Sequence, residues 1–388
     1  MNDFIFSNPT KVYFGRDQLE NLPTELAHFD KKVLLVYGGG SIKRNGIYDK
    51  IMTLLGGFEV YELSGVEPNP RHTTVNKGAA ICKANGVDVI LAIGGGSSID
   101  CAKGVAATAL ADTDNVWDLV ERKVAYPNAL PIVTVLTMAA TGSEMDAGAV
   151  ISNMELNIKS GIGGEQVRPK VSFENPEFTY TVPNYQTACG SVDIMSHIFD
   201  VAYFSSQEEM DMLKRMQEEV LKTVIKYAPI AMQKNDDYEA RANLMWASSW
   251  ALNGFLYSGI RQATVCHAME HELSAYYDIT HGHGLAIIIP RWLRYILDEN
   301  TAPAIKRFGV NCFGTPDTDN MIDDAMNAIE ALEHFFFDTL GLESHLSKLN
   351  IGEENFEKMA QSACGGGILP SIKQLDKNDI ISIYKMCL

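Results

Sequence analysis

The sequence predicts an α/β half built on a parallel sheet followed by an all-helical half, and three observations predict it. Short apolar and β-branched runs alternate with helix-period segments as far as Pro183. Beyond Asn184 those runs give way to consecutive long helical stretches. The 388 residues are enough for two domains, placed at 1–182 and 183–388 with a boundary near Val182–Asn184.

Taken in order, a strand near Lys11–Phe14 precedes a first unit, KKVLLVYGGGSIKRNGIYDKIMTLLGG. Val33–Tyr37 is an unbroken apolar run, the signature of a strand buried on both faces of a parallel sheet. Gly38-Gly39-Gly40-Ser41 then turns into a helix near Ile47–Leu55 that stops at Gly56-Gly57. Phe58–Leu63 reads as a strand, Glu67-Pro68-Asn69-Pro70 as a loop, and Thr73–Asn85 as a helix ended by Gly86. The second unit, VDVILAIGGGSSIDCAKG, places a strand over Val87–Ile93 and a glycine loop at Gly94-Gly95-Gly96. Ser97 or Ser98 is then expected as N-cap of a helix carrying Asp100 and Lys103. Pro131–Leu136 is a further strand, and TMAATGSEMDAGAVIS reads as a loop. The second half is expected to hold helices at Asp211–Met232, Tyr238–Leu256, Ala263–Tyr277, Gly284–Leu297 and Asp319–Leu340.

Composition excludes several classes. The chain is 46% hydrophobic and 21% charged, an ordinary globular balance. A formal net charge of −17 argues against nucleic acid and against an anionic membrane surface as partners. Seven cysteines with no CxxC pair read as thiols of a reducing compartment, and neither a signal peptide nor a membrane span is visible, so a cytoplasmic location is expected.

The chemistry gathers in two places. A glycine loop between a buried strand and a helix offers backbone N–H groups and a helix dipole to a phosphate, which points to Gly95, Gly96 and Ser97. GGGS lacks the GxGxxG spacing, so the Rossmann fingerprint is not assigned. Thr137, Thr141 and Ser143 are short donors suited to a ribose or an amide. In the helical half, CHAMEHELSAYYDITHGHGLAI carries His267 and His271 one helical turn apart and His281 after a break, and GSVDIMSHIFD carries Asp193 and His197 at the same i, i+4 spacing. Asp193, His197, His267 and His281 together form one carboxylate and three imidazoles, a set suited to a divalent transition metal. Separately hydrogen-bonded core histidines are the bland alternative. A nucleotide on one domain and a metal on the other, meeting in a cleft, is the arrangement of a metal-assisted dehydrogenase.

The stretches YGGGSIKRNGIYDK, GVEPNP, AIGGGSSIDCAK, ATGSEMDAGAVIS, ANLMWASS at Ala242–Ser249 and HELSAYYDITHGHGLAI span nearly the whole chain. In them it resembles the iron-containing (group III) alcohol dehydrogenases, in their NAD(P)H-dependent butanol dehydrogenase and aldehyde reductase branch. The resemblance implies a dehydroquinate-synthase-like fold, with an N-terminal dinucleotide-binding domain and a helical metal domain. It implies Fe2+ or Zn2+ on Asp193, His197, His267 and His281, with His271 relaying a proton. It implies NAD(H) or NADP(H), its adenosine by Gly39, Ser41 and Asn69, its pyrophosphate on Gly96 and Ser97, and its nicotinamide near Thr137, Asp146, Gly148 and Lys159. The substrate is expected to be a primary alcohol or aldehyde such as butanol or butanal, and a homodimer is the expected assembly. His283 is expected to line the cleft or the surface. Asn175-Pro176 stands where Asp-Pro is common, the segment from Gly365 differs from the family's pattern, and the glycines of SGIGGEQVRPK are unusual beside Lys159. Near the first glycine turn no carboxylate is evident and Lys43 and Arg44 are close, so NADPH is expected to be accepted. The alternatives are a dehydroquinate-synthase-type lyase or a glycerol or diol dehydrogenase on the same fold, and a non-catalytic metal- or nucleotide-binding protein.

Overall fold

A computed structural model describes residues 2–205 and 210–388. The chain divides into two compact units, Ser7–Val182 and Pro183–Leu388, and the residues up to Phe6 belong to the second. Among the described residues no helix is long and apolar enough to cross a membrane.

The first unit is built on a parallel sheet of six strands. These are β1 (Lys11–Phe14), β2 (Lys32–Tyr37), β3 (Glu59–Ser64), β4 (Val89–Gly94), β5 (Ile132–Leu136) and β8 (Val171–Glu174), in the order β1-β8-β5-β4-β2-β3. Every residue of β4 and β5 is buried, so both faces are covered and the runs read as continuously apolar rather than alternating. On one face Leu19, Leu22, Leu26, Ile42, Ile47 and Ile51 close over Val33, Leu35, Leu91 and Ile93. Full burial of each such side chain favours folding by about 1.5–3 kcal/mol. The connections run through the short α1 (Ser41–Arg44), α2 (Ile47–Leu54), α3 (His72–Asn85) and α4 (Gly96–Leu110). The order reverses between β2 and β4: β3 lies on one side of β2 and β4 on the other. Ligands of open α/β sheets bind outside the strand ends at such a switch point.

Two elements differ from the expectation. The segment read as a loop after β5 ends in β6 (Gly148–Asn153), which pairs antiparallel with β7 (Ile158–Gly163) as a separate hairpin. Its glycines and short polar residues carry no clear alternation, which hides the strand period. β8 lies between β1 and β5, and as the four-residue run VSFE it is too short to stand out.

The second unit is helical. It contains α5 (Asn184–Ser196), which continues as a π-helical turn over His197–Tyr203, then α6 (Asp211–Gln233), α7 (Tyr238–Ala251), α8 (Val265–Tyr277), α9 (His281–Ile296), α10 (Met321–Glu333), α11 (Phe356–Ala363) and α12 (Lys377–Met386). α8 ends where Asp278 takes a left-handed conformation (φ 51°), and α9 starts at His281 behind Thr280. This is the break expected between the two histidine segments, although α9 begins three residues earlier than its periodicity suggests.

Candidate metal centre and nucleotide loops

α5, α8 and α9 bring the histidine segments together. One ligand atom each of Asp193, His197 and His267 lies within 4.8 Å of the others, and all three residues are buried. His281 joins from α9, its Nε2 3.6 Å from Asp193 Oδ1. The His197 and His267 rings stack at 4.9 Å, and His281 lies 5.4 Å from His267 by ring centroids. A glycine makes this closeness feasible. At Gly282 a Cβ would fall inside the van der Waals shell of the Cys189 carbonyl on α5, so only a residue without one lets α9 approach there. Asp193 and His281 stand on the helices that meet at this point.

Two carboxylates fix the ring orientations. Asp200, in the π-helical turn, accepts from the His267 backbone N–H at 2.9 Å and lies 2.8 Å from its Nδ1. Glu270 Oε2 is bonded to Nδ1 of His281. With Nδ1 engaged, each ring turns Nε2 inward as a lone-pair donor, the arrangement found behind metal-ligating histidines. Nε2 of His267 is buried and has no hydrogen-bond partner among the described residues. Burial alone pulls the His267 imidazole down, and the bond to Asp200 with the charges of Asp200, Asp193 and Glu270 more than offsets it, leaving its pKa above the ordinary value. The cluster therefore favours positive charge. Donor set, buried lone pair and negative surroundings all fit a divalent transition metal. His271 is half-buried beside this group, its ring 6.3 Å from His267 and 5.6 Å from His281, and it groups with Glu270 and His281. His283 stands apart and is not at the surface: it is buried, bonded to the Tyr185 hydroxyl at 3.0 Å and the Glu343 carbonyl at 2.9 Å. Burial holds its pKa below the ordinary value, as suits a neutral structural ring.

In the first unit the loops after β2, β3, β4 and β5 gather at the carboxyl edge of the sheet. Thr137 N–H bonds the Gly94 carbonyl at 2.9 Å, and Ser97 Oγ bonds the Pro68 carbonyl, one residue from the buried Asn69. Gly95 and Gly96 lie against Met138 and Thr141; a Cβ on Gly96 would collide with the Thr141 side chain. The N-cap of α4 is Gly95, not Ser97 or Ser98, because the backbone already turns at Gly94 (φ 157°). Gly39 faces open space and Ser41 opens α1. Further along, the fully buried Lys103 bonds Ser143 Oγ at 2.8 Å, the Gly148 carbonyl at 2.7 Å, and Asp146. Asp100 accepts from Ser143 Oγ at 2.6 Å and Val150 N–H at 2.8 Å. Asp146 and Gly148 are thus tied to α4 through Lys103, and Lys159 is on β7 opposite Ser152.

Family models cover both units. A model described as iron-containing alcohol dehydrogenase matches residues 9–176, and one for the C-terminal part of the Fe-containing alcohol dehydrogenase family matches residues 187–388. The chain belongs to the iron-containing alcohol dehydrogenase family. It is therefore an oxidoreductase of the alcohol dehydrogenase class on a dehydroquinate-synthase-like fold, and the reading as an alcohol dehydrogenase or aldehyde reductase is favoured over the lyase. It is 49% identical over 389 residues to NADH-dependent butanol dehydrogenase A of Clostridium acetobutylicum, a match covering 99% of each chain. To the NADPH-dependent aldehyde reductase of Escherichia coli it is 34% identical, over 89% of each chain. The crystal structure of NADH-dependent butanol dehydrogenase A from Thermotoga maritima superposes with a TM-score of 0.94 at 37% identity, over 100% of this chain and 99% of that one.

Several residues of this iron-containing alcohol dehydrogenase escaped the sequence reading. Asp200 and Glu270 sit three residues after His197 and His267, so acids at i+3 from candidate ligands were the available signal. Glu62 corrects the expectation that no carboxylate stands near the first glycine turn. From β3 it accepts from the Tyr37 hydroxyl at 2.6 Å and the Tyr48 hydroxyl at 2.7 Å, and it lies 3.9 Å from Lys43 Nζ. That ammonium also sits 4.4 Å over the Tyr48 ring.

Proposed function

We propose that this enzyme interconverts a primary alcohol and its aldehyde, such as butanol and butanal, using a divalent metal on Asp193, His197, His267 and His281. The observation that carries the reading is the convergence of three buried side chains with the half-buried His281, two of the histidines being oriented by carboxylates. A metal held there would supply Lewis acidity at the substrate oxygen, and the nicotinamide would supply or take the hydride. The protein's own part is to keep the ring proton of His267 and His281 on Nδ1, with Nε2 facing inward, through Asp200 and Glu270. His271, half-buried beside them, exchanges a proton with the substrate side at its ring nitrogen. Gly95, Gly96 and Ser97 at the start of α4 bind the pyrophosphate by backbone N–H groups, with Thr137, Thr141, Asp146, Gly148 and Lys159 toward the nicotinamide and Gly39, Ser41 and Asn69 toward the adenosine.

Of the two nucleotides, NADH is the preferred one. Glu62 compensates Lys43, so the cation that favoured a 2′-phosphate is already engaged and a carboxylate stands beside it. Relatives 49% and 50% identical bear NADH-dependent names, which supports the same choice.

The test is NADH and NADPH oxidation with butanal by metal-stripped protein, repeated after adding ferrous iron or zinc. Turnover that appears only with metal, with kcat/KM higher for NADH, is expected. Absence of turnover with either metal, despite nucleotide binding, overturns the reading.

A further inference from the structure

A second charged site lies away from the histidine cluster, at the far end of α9. Arg291 is 8% exposed, so its guanidinium is largely removed from water. Its Nη1 is buried with no hydrogen-bond partner among the described residues, and its Cζ lies 4.9 Å over the Phe337 ring. Withdrawing a cation from water without a counter-ion is costly, and a π-face recovers only part of the loss. Buried charges are ordinarily paired, so an unpaired one needs an explanation.

The neighbouring acids do not supply it. Arg291 opens onto a pocket of about 380 Å³ lined also by Glu330, Glu333, His334, Asp338 and Ser344. Glu333 is held by Arg294 through two bonds, at 3.0 and 2.5 Å, and Asp338 by His334 at 2.8 Å. Glu330 is exposed on the rim. The pocket thus offers one planar cation without a hydrogen-bonded counter-ion among the described residues, with Glu330 and Asp338 at its exposed edge. Burial holds the Arg291 pKa below the ordinary arginine value, and nearby negative charge, that of Glu333 included, opposes it only in part.

We propose that this pocket binds a small organic monocarboxylate, its two oxygens on the Arg291 fork and its carbon chain toward Phe337. A guanidinium pairs carboxylate and phosphate oxygens equally well by parallel N–H···O bonds. The rim charges of Glu330 and Asp338 decide between them, because a second negative charge on the ligand would face them. The volume leaves room for several carbons beyond the carboxylate.

The experiment uses iron-loaded enzyme saturated with NADH, so that the metal and nucleotide sites are occupied. Sodium acetate, sodium butanoate and sodium phosphate are each titrated by thermal shift and calorimetry, against sodium chloride at equal ionic strength. Saturable stabilisation by the carboxylates is expected, butanoate exceeding acetate and phosphate weakest. Arg291→Met keeps an unbranched apolar stem without the guanidinium and is expected to abolish the effect, whereas Glu330→Gln, an exposed change, is expected to tighten carboxylate binding about three- to tenfold. No carboxylate effect beyond chloride, an undiminished effect in Arg291→Met, or unchanged affinity in Glu330→Gln overturns the proposal. Because none of these readouts is turnover, the result stands apart from the alcohol dehydrogenase reading.

Discussion

At the scale of single residues, the proposed metal centre rests on two acids as well as on its four candidate ligands. Asp200 accepts both the backbone and the ring N–H of His267, which sets the ring's tautomer and raises its basicity. Asp200→Asn keeps an acceptor of the same shape but removes the charge, so the fold should survive while metal affinity falls about 10–100-fold. Competition with a chromophoric chelator reads this directly, and an unchanged affinity would remove Asp200 from the site. A second buried acid acts on stability instead. Burial pushes the Asp100 carboxyl up to about 6 from an ordinary 3.8, with Lys103 opposing and Asp146 adding to the rise. A folded-state value above the unfolded one means folding takes up a proton between them. The contribution is complete below about 3.8 and is lost as pH rises through about 6. The stability of the wild type relative to Asp100→Asn should therefore grow as pH falls through about 6, measured by urea unfolding midpoints; a flat difference would contradict it.

At the scale of elements, the site depends on how closely helices approach. Gly282→Ala should force α9 off α5, costing about 1–3 kcal/mol or more and loosening His281 from Asp193, with lost thermal stability and lost metal retention appearing together. Gly39→Ala provides the contrast. Its Cβ would meet nothing in the protein, so stability should change by less than about 0.5 kcal/mol while nucleotide affinity drops. Equal destabilisation of the two variants would defeat both statements. What could be read from sequence follows the same division. The pairs Asp193/His197 and His267/His271 were legible because helical spacing is local, and β2, β4 and β5 were legible because burial on both faces leaves an unbroken apolar run. Glu62 approaches Lys43 and Tyr48 only once β3 is laid against β2, and no spacing along the chain encodes that register. The hairpin β6–β7 was missed because its residues are chosen for contact with α4, as at Gly104 against Ile151, not for alternation.

At the scale of the whole molecule, the two proposed ligands act on separate units. A ligand at a hundredfold excess over its Kd stabilises the form it binds by about 2.7 kcal/mol. Iron or zinc should slow amide exchange in residues 184–203 and 265–283 of the helical unit, and NADH should slow it around residues 38–41 and 94–97 of the sheet unit. Hydrogen-exchange mass spectrometry separates the two patterns. Metal protection confined to the sheet unit would move the centre elsewhere.

The opening residues of the chain have one more consequence. Asn2 N–H reaches the Gly259 carbonyl at 2.8 Å and the Phe6 ring packs edge-on against Phe255 at 5.2 Å, so this arm rests on residues made some 250 positions later. At about 5–20 residues per second of translation, roughly 12–50 s separate the arm's emergence from that of its seat. The sheet unit has its full sequence in hand well before then. The arm therefore stays open until Phe255 and Gly259 have been made, a latch waiting for its catch.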